Sequence, residues 1–249
     1  MPADAASPSL LTCTNSFSFI TLISDSLRLR DETLAMAFVY INKYLSFLRD
    51  TPDAEELLDD YTLSLASLSL ATKATESPRR LREFLLPAYG LMNPDAEPLT
   101  FPSTLYDSLR GTLVAAEFLL LRVLRFDIRL PLPFDYLPRY LEKTLVLHGT
   151  DHLDFAAEDE KEEICVVDVK FTALGRKTWG LVGEAMKDFR LVNYFTARTV
   201  AAACFWVVLE KEGLRAREER ERWLKRLTGD RVDLVDFEEA VGDVKRLEL

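Results

Sequence analysis

The sequence predicts an all-α protein built as two tandem units of about five helices each. Three observations carry that prediction. Glycine is scarce, nine in 249 residues, which suits helices better than hairpins. Apolar residues recur at spacings of three and four through most of the chain. The stretch Arg129-Leu-Pro-Leu-Pro-Phe134, with Pro138 just beyond, separates two series of such segments.

The first clear helix begins near Asp31. Leu34, Phe38, Ile41, Leu45 and Leu48 lie on one face. Pro52 ends it, because proline disfavours helical geometry in the residue before it. Over 61–70 the leucines alternate with serines as a strand would, but the alternation loses phase at Ala66-Ser67 and helical spacing survives. Tyr61, Leu65 and Leu68 make one stripe, and Leu63, Ala66 and Leu70 another, with Ser64, Ser67 and Ser69 between. Two apolar faces predict a central helix packed on both sides.

Ser77-Pro78 predicts a short helix to about Leu86, with serine as N-cap and proline at the first position. Pro87, Pro94, Pro98 and Pro102 predict a loop. From Ser103 a long helix runs to about Phe126, apolar nearly all round beyond Leu113 and therefore buried.

The second series follows the proline seam. It opens with a short helix at Phe134–Leu145, an irregular stretch over about 148–177, and a helix at Thr178–Phe189. A very apolar helix at Ala197–Lys211 and a charged one at Ala216–Leu227 come next. The last begins near Asp233, with Leu234, Phe237, Val241 and Val244 on one face. The alanine-rich, two-sided helix around Val200–Val208 repeats the layout of the first series.

Composition excludes several functions. Lys and Arg number 31 against 41 Asp and Glu, a net charge of −10, so no direct nucleic-acid partner is expected. Cys13, Cys165 and Cys204 are widely spaced with no CxxC pair, which predicts reduced thiols and an intracellular protein. The first nine residues lack the basic start of a signal peptide. The longest apolar runs fall well short of the about 20 residues a membrane span needs, so no membrane partner is expected.

No dinucleotide fingerprint, phosphate loop, HExxH or GxSxG is present, so neither a catalytic residue nor a cofactor is expected. Gly180 and Gly183 read as helix-internal. His148 and His152 have an H-x3-H spacing, but Gly149-Thr-Asp151 between them reads as a turn, and no third ligand accompanies them. No metal site is expected. The acidic run 158–163 reads as a solvated loop. Glu218–Arg222 and Glu221–Lys225 read as an exposed, ion-paired helix face.

Glu117 does not dissolve into this background. Its helical neighbours at three and four residues are Leu113, Val114, Leu120 and Leu121, none a cation. A carboxylate there needs a partner from elsewhere in the fold or from another protein. Lys73, at the end of the other buried helix, is one candidate, and it also stands three residues before Glu76. Periodicity leaves both readings open: an internal Lys73–Glu117 pair, or a binding site.

Three segments in order resemble successive parts of a cyclin box. They are Thr33-Leu-Ala-Met-Ala-Phe-Val-Tyr-Ile-Asn-Lys-Tyr-Leu45, Leu68-Ser-Leu-Ala-Thr-Lys-Ala-Thr-Glu-Ser-Pro-Arg-Arg-Leu81, and Glu117-Phe-Leu-Leu-Leu-Arg-Val-Leu-Arg-Phe-Asp127 followed by Pro131-Leu-Pro133. The second half resembles a second box through Asp188-Phe-Arg-Leu-Val-Asn-Tyr-Phe195, Val200-Ala-Ala-Ala-Cys-Phe-Trp206 and Trp223. The resemblance divides the chain into an N-terminal segment with a weak first helix (1–30), a first cyclin box (31–130) and a second (131–249) with an insertion at about 148–177.

The Lys-x-x-Glu-Ser-Pro-Arg-Arg wording is similar to the transcription-associated cyclins of the C, K, L, T and Q types. The resemblance implies a non-catalytic, nuclear regulator that binds and activates a cyclin-dependent protein kinase. It assigns Lys73 and Glu117 to the segment leading into the kinase αC helix, with Glu76, Leu70 and Phe118 completing the kinase-binding set. The surface around them should be apolar and on the order of 2,000 Å². Two departures stand out. Cys13–Thr21 is polar, β-prone and without the basic residues usual in relatives, and the insertion contains Ile164–Val169, which has the composition of a strand.

Overall fold

The computed structural model describes residues 9–51, 58–149, 172–214 and 219–247. Among them are eleven α-helices, one short 3-10 turn and no strand, as an all-α chain requires. They fall into two compact units, Met1–Leu130 and Pro131–Leu249.

The first unit is assembled around one helix. Its elements are α1 (Ser9–Ser26), α2 (Asp31–Asp50), α3 (Asp60–Ala74), α4 (Leu81–Met92) and α5 (Thr104–Val123). The central α3 packs against each of the other four. Asp59 caps it, its carboxylate accepting from the N–H groups of Tyr61 at 3.1 Å and Thr62 at 3.0 Å. Every residue from Leu63 to Thr72 is buried, which is why that span of the helix carries no charge on either face.

Three sequence expectations for this unit are corrected. Residues 13–21 lie inside α1, a continuous helix, despite their β-branched and hydroxyl side chains. Ser16, Phe19, Ile20, Ile23 and Ser24 form a buried stripe at helical spacing, Phe17 meets Phe38 edge-on at 5.2 Å, and Phe19 meets Tyr61 edge-on at 5.0 Å. Packing overrides the weak propensity.

The second correction concerns Ser77, which closes α3 instead of opening α4. Its N–H donates to the Thr72 carbonyl at 2.8 Å and the Glu76 N–H donates to the Lys73 carbonyl at 3.4 Å. Glu76 itself sits in the left-handed region, φ 56°. This is a Schellman cap with glutamate where glycine is usual. The third is that α4 starts at Leu81 and runs through Pro87 to Met92. Proline forfeits one helical hydrogen bond there, and the buried face of Phe84, Leu85 and Ala88 holds the helix on both sides of it.

The second unit repeats the plan around an apolar helix. After a 3-10 turn at Pro133–Tyr136 come α6 (Leu137–Gly149), α7 (Ala173–Ala185), α8 (Phe189–Tyr194), α9 (Ala197–Lys211), α10 (Arg220–Thr228) and α11 (Leu234–Arg246). The central α9 packs against α6, α7, α10, α11 and the 3-10 turn. Helix α6 extends past His148, and α7 begins before Thr178, where the Thr172 hydroxyl accepts from the Gly175 N–H at 2.9 Å. Residues 148–149 and 173–177, which the sequence places in an irregular stretch, are therefore helical. Helix α8 is a separate short helix that the sequence did not set apart. His152, the acidic run, Glu218 and the Ile164–Val169 segment lie outside the described residues. Lys225 does pair with Glu221, at 2.8 Å.

A candidate protein-interaction site

The end of α3 and the middle of α5 bring the two conspicuous charges together. Lys73 Nζ lies 2.6 Å from Glu117 Oε2. The lysine stands in the last turn of α3, where a cation also opposes the negative end of the helix dipole. The partners differ in environment: the Lys73 side chain is 44% exposed, whereas Glu117 is buried to 7%. Only one carboxylate oxygen is used. Glu117 Oε1 is buried without a hydrogen-bond partner, an acceptor whose desolvation nothing among the described residues offsets.

The remaining predicted residues divide. Phe118, next to Glu117 on α5, is 61% exposed. Glu76 does not pair with Lys73; its carboxylate meets the Arg129 guanidinium at 2.5 Å. Leu70 is a correction, since it is 3% exposed and belongs to the core beneath Lys73, not to the surface. The expectation that α5 is buried all round beyond Leu113 also fails. Ala115 and Phe118 are exposed, and Val114, Leu119 and Leu121 only half-buried. The outer face of α5 is therefore apolar and partly exposed.

Two features of the site escaped the sequence reading. Leu124 closes α5, after which Arg125 and Phe126 adopt consecutive left-handed conformations, φ 52° and 61°. Each costs a non-glycine residue about 1 kcal/mol or more, and the result is a Phe126 side chain 68% exposed. The segment is pinned from α2, where the Tyr40 hydroxyl donates to the Ile128 carbonyl at 2.5 Å. Burial, reinforced by the Asp127 carboxylate, pushes the Tyr40 phenol well above its usual range, so it remains a donor. Arg30 is the second feature: its guanidinium donates to the Thr75 carbonyl at 2.7 Å, beside a Thr33–Thr75 hydroxyl contact of 2.8 Å. Neither the Arg125–Phe126 turn nor Arg30 has a spacing that would mark it in advance.

Chemically the arrangement offers a bare carboxylate acceptor, an ammonium with donors to spare and exposed aromatic surface. Such groups can accept from an N–H donor and donate to a carbonyl side by side. Among the described residues no group of three or more His, Cys, Asp or Glu could hold a metal ion. No described helix is long and apolar enough to cross a membrane.

Residues 13–129 match the family model described as "Cyclin, N-terminal domain", which agrees with the family the sequence motifs resemble. The chain is 24% identical over 196 residues to Cyclin pch1 of Schizosaccharomyces pombe, covering 78% of this chain and 48% of that protein. It thus spans about half the length of that curated relative. Among solved structures, a chain of the yeast RNA Pol II CTD kinase CTDK-1 complex superposes with a TM-score of 0.65 at 14% identity, covering 95% of this chain and 64% of that one. A viral cyclin from herpesvirus saimiri superposes with a TM-score of 0.57 at 14% identity, covering 96% and 85%. At such identities the likeness is one of fold.

Proposed function

We propose, from the match of residues 13–129 to the cyclin N-terminal domain, that this chain is the non-catalytic regulatory subunit of a transcription-associated cyclin-dependent serine/threonine kinase, acting in the nucleus. The observation that carries the reading is the unpartnered Glu117 Oε1 beside a half-exposed Lys73. A bare carboxylate oxygen beside a half-exposed cation is satisfied when a ligand's N–H reaches it. Here that ligand is the backbone of the segment leading into the kinase αC helix, whose N–H groups donate to Glu117 while its carbonyls accept from Lys73. Exposed Phe118 supplies apolar contact alongside.

The mechanism is a population shift. A kinase is active only when its αC glutamate pairs with the strand lysine that holds the ATP phosphates. A subunit that binds the αC-in arrangement more tightly than the αC-out one draws the equilibrium across by that difference in affinity. The chain contributes no reacting group. A scaffold without kinase activation is the competing reading, and its support was a weak first helix; α1 is continuous from Ser9 to Ser26. A DNA-binding role has the net charge of −10 against it.

Affinity capture of tagged wild-type chain from its native cells tests the reading. One cyclin-dependent kinase is expected in stoichiometric amount with wild type and absent with Glu117→Arg. The double variant Lys73→Glu, Glu117→Lys keeps an internal pair and a folded chain, yet is expected to lose the kinase too. Capture that survives both changes, or no kinase with wild type, refutes the assignment.

A further inference from the structure

We propose that Ser77 is a phosphoacceptor for a proline-directed kinase, and that its phosphate opens the turn that aims Lys73. The chain contains three Ser/Thr-Pro pairs, Ser7-Pro8, Thr51-Pro52 and Ser77-Pro78. Only the third is followed by cations, Arg79 and Arg80. Proline after the acceptor presents no N–H, so it fits a kinase groove that offers no acceptor there; any other residue buries an unsatisfied donor. The arginines supply charge-assisted contacts to an acidic or phosphorylated groove.

The structure leaves this tetrapeptide, residues 77–80, outside any helix and mostly exposed; Ser77 is half-buried, and Pro78, Arg79 and Arg80 are exposed. Arg80 is extended, φ −74° and ψ 142°, and proline disfavours helical geometry at Ser77. In the reaction the Ser77 hydroxyl oxygen attacks the γ-phosphorus of ATP. The bond from that phosphorus to the bridging oxygen breaks, ADP leaves, and the hydroxyl proton passes to the catalytic carboxylate of the kinase.

The position of the new charge gives it an effect. Ser77 supplies the N–H that closes the α3 cap on Thr72, and Glu76 beside it is held left-handed with its carboxylate on Arg129. Arg30 already reaches the Thr75 carbonyl. A phosphoserine of charge about −1.5 to −2 at a helix C-terminus, next to a carboxylate, is repelled by both. The same phosphate outcompetes a carboxylate for arginine. Arg129 therefore exchanges Glu76 for the phosphate, the cap opens, and the last turn of α3 frees Lys73 from Glu117. The bearing of this switch on partner binding rests on the kinase-binding reading of that pair.

The full chain is incubated with ATP and the active mitotic cyclin-dependent kinase, and phosphorylated sites are mapped by mass spectrometry. Ser77 is expected to carry the phosphate, Ser77→Ala to abolish that signal, and Pro78→Ala to reduce it about tenfold. Phosphate on Ser7 or Thr51 alone, or none, overturns the site. Amide hydrogen exchange then reads the cap: phosphorylation is expected to speed exchange of the Ser77 N–H about tenfold or more. Unchanged protection overturns the switch. Neither readout needs a captured partner, so failure of the unmodified chain to retain a kinase would count against the proposed function and not against Ser77.

Discussion

Glu117 is held among Leu113, Ala116 and Leu120 with one oxygen on Lys73 and the other on nothing. Desolvating a carboxylate exceeds what one half-exposed partner returns, so the pair contributes little net stability. The two halves of the pair should then respond to deletion with opposite sign. Glu117→Met removes the charge and the bare acceptor and fills the site with apolar volume; it should leave stability unchanged or raise it by about 1 kcal/mol. Lys73→Met strands the carboxylate and should lower stability by about 3 kcal/mol. Thermal melts of the two variants give the comparison, and equal losses would mean that Glu117 is there for the fold. Leu70 provides a contrast one turn earlier. As a core side chain, Leu70→Ala should cost about 2–5 kcal/mol, with partner binding falling only as far as folding does.

Helix α3 carries the same tension along its length. Ser64, Ser67 and Ser69 are fully buried, and their hydroxyls have no hydrogen-bond partner. Small side chains let α1, α2, α4 and α5 approach, but alanine is as small without the stranded hydroxyl. Ser67→Ala should therefore stabilise the unit by about 1 kcal/mol, readable as a higher urea midpoint at unchanged slope. Helix α9 of the second unit makes the acid-sensitive contact. Burial acts to raise the Glu210 pKa, but the Lys245 ammonium at 2.6 Å, the Trp206 N–H at 2.8 Å and Arg220 together hold it below the ordinary carboxylate value. A folded pKa below the unfolded one adds stability above the unfolded value and loses it as pH falls through the folded value. Melting temperature should drop on acidification below about pH 4.3, and Glu210→Gln should flatten that drop.

These helices also mark how far sequence reasoning reaches. Leucines on two faces of 61–70 and alanines along 200–208 are enough to identify buried central helices, because burial on all sides demands that composition. The stripe in α1 stayed hidden, since Ser16 and Ser24 sit where leucine would normally mark it. The start of α4 was misread because Ser-Pro signals a helix entry locally. Here the backbone of Ser77 is already committed to the cap of α3, a contact that the local pattern does not contain. Lys73 and Glu117 were visible as charges in apolar company; that they meet at 2.6 Å, and that Glu76 goes to Arg129, depends on separations of 44 and 53 residues.

At the scale of the whole molecule, the chain divides at Leu130–Pro131 into units that each enclose a central helix and a core. Units of this size bury enough surface to fold alone. Lys73, Glu117, Phe118 and the Ser77 turn all belong to the first unit, and so does the whole of the 13–129 cyclin match. Binding by the αC-adjacent contact should therefore be portable. Residues 1–130, expressed alone, are expected to melt cooperatively and to capture the kinase, and Glu117→Arg in that fragment is expected to abolish capture. Residues 131–249 are expected to fold, as judged by a cooperative helical melt, and to capture none. If the first fragment folds but captures nothing while the full chain does, the second unit supplies part of the kinase contact, and Glu117 is one anchor of a longer surface. If the second fragment captures the kinase without the first, the recognition site lies on the side of the seam that contains α9, and the Lys73–Glu117 pair reverts to an internal salt bridge.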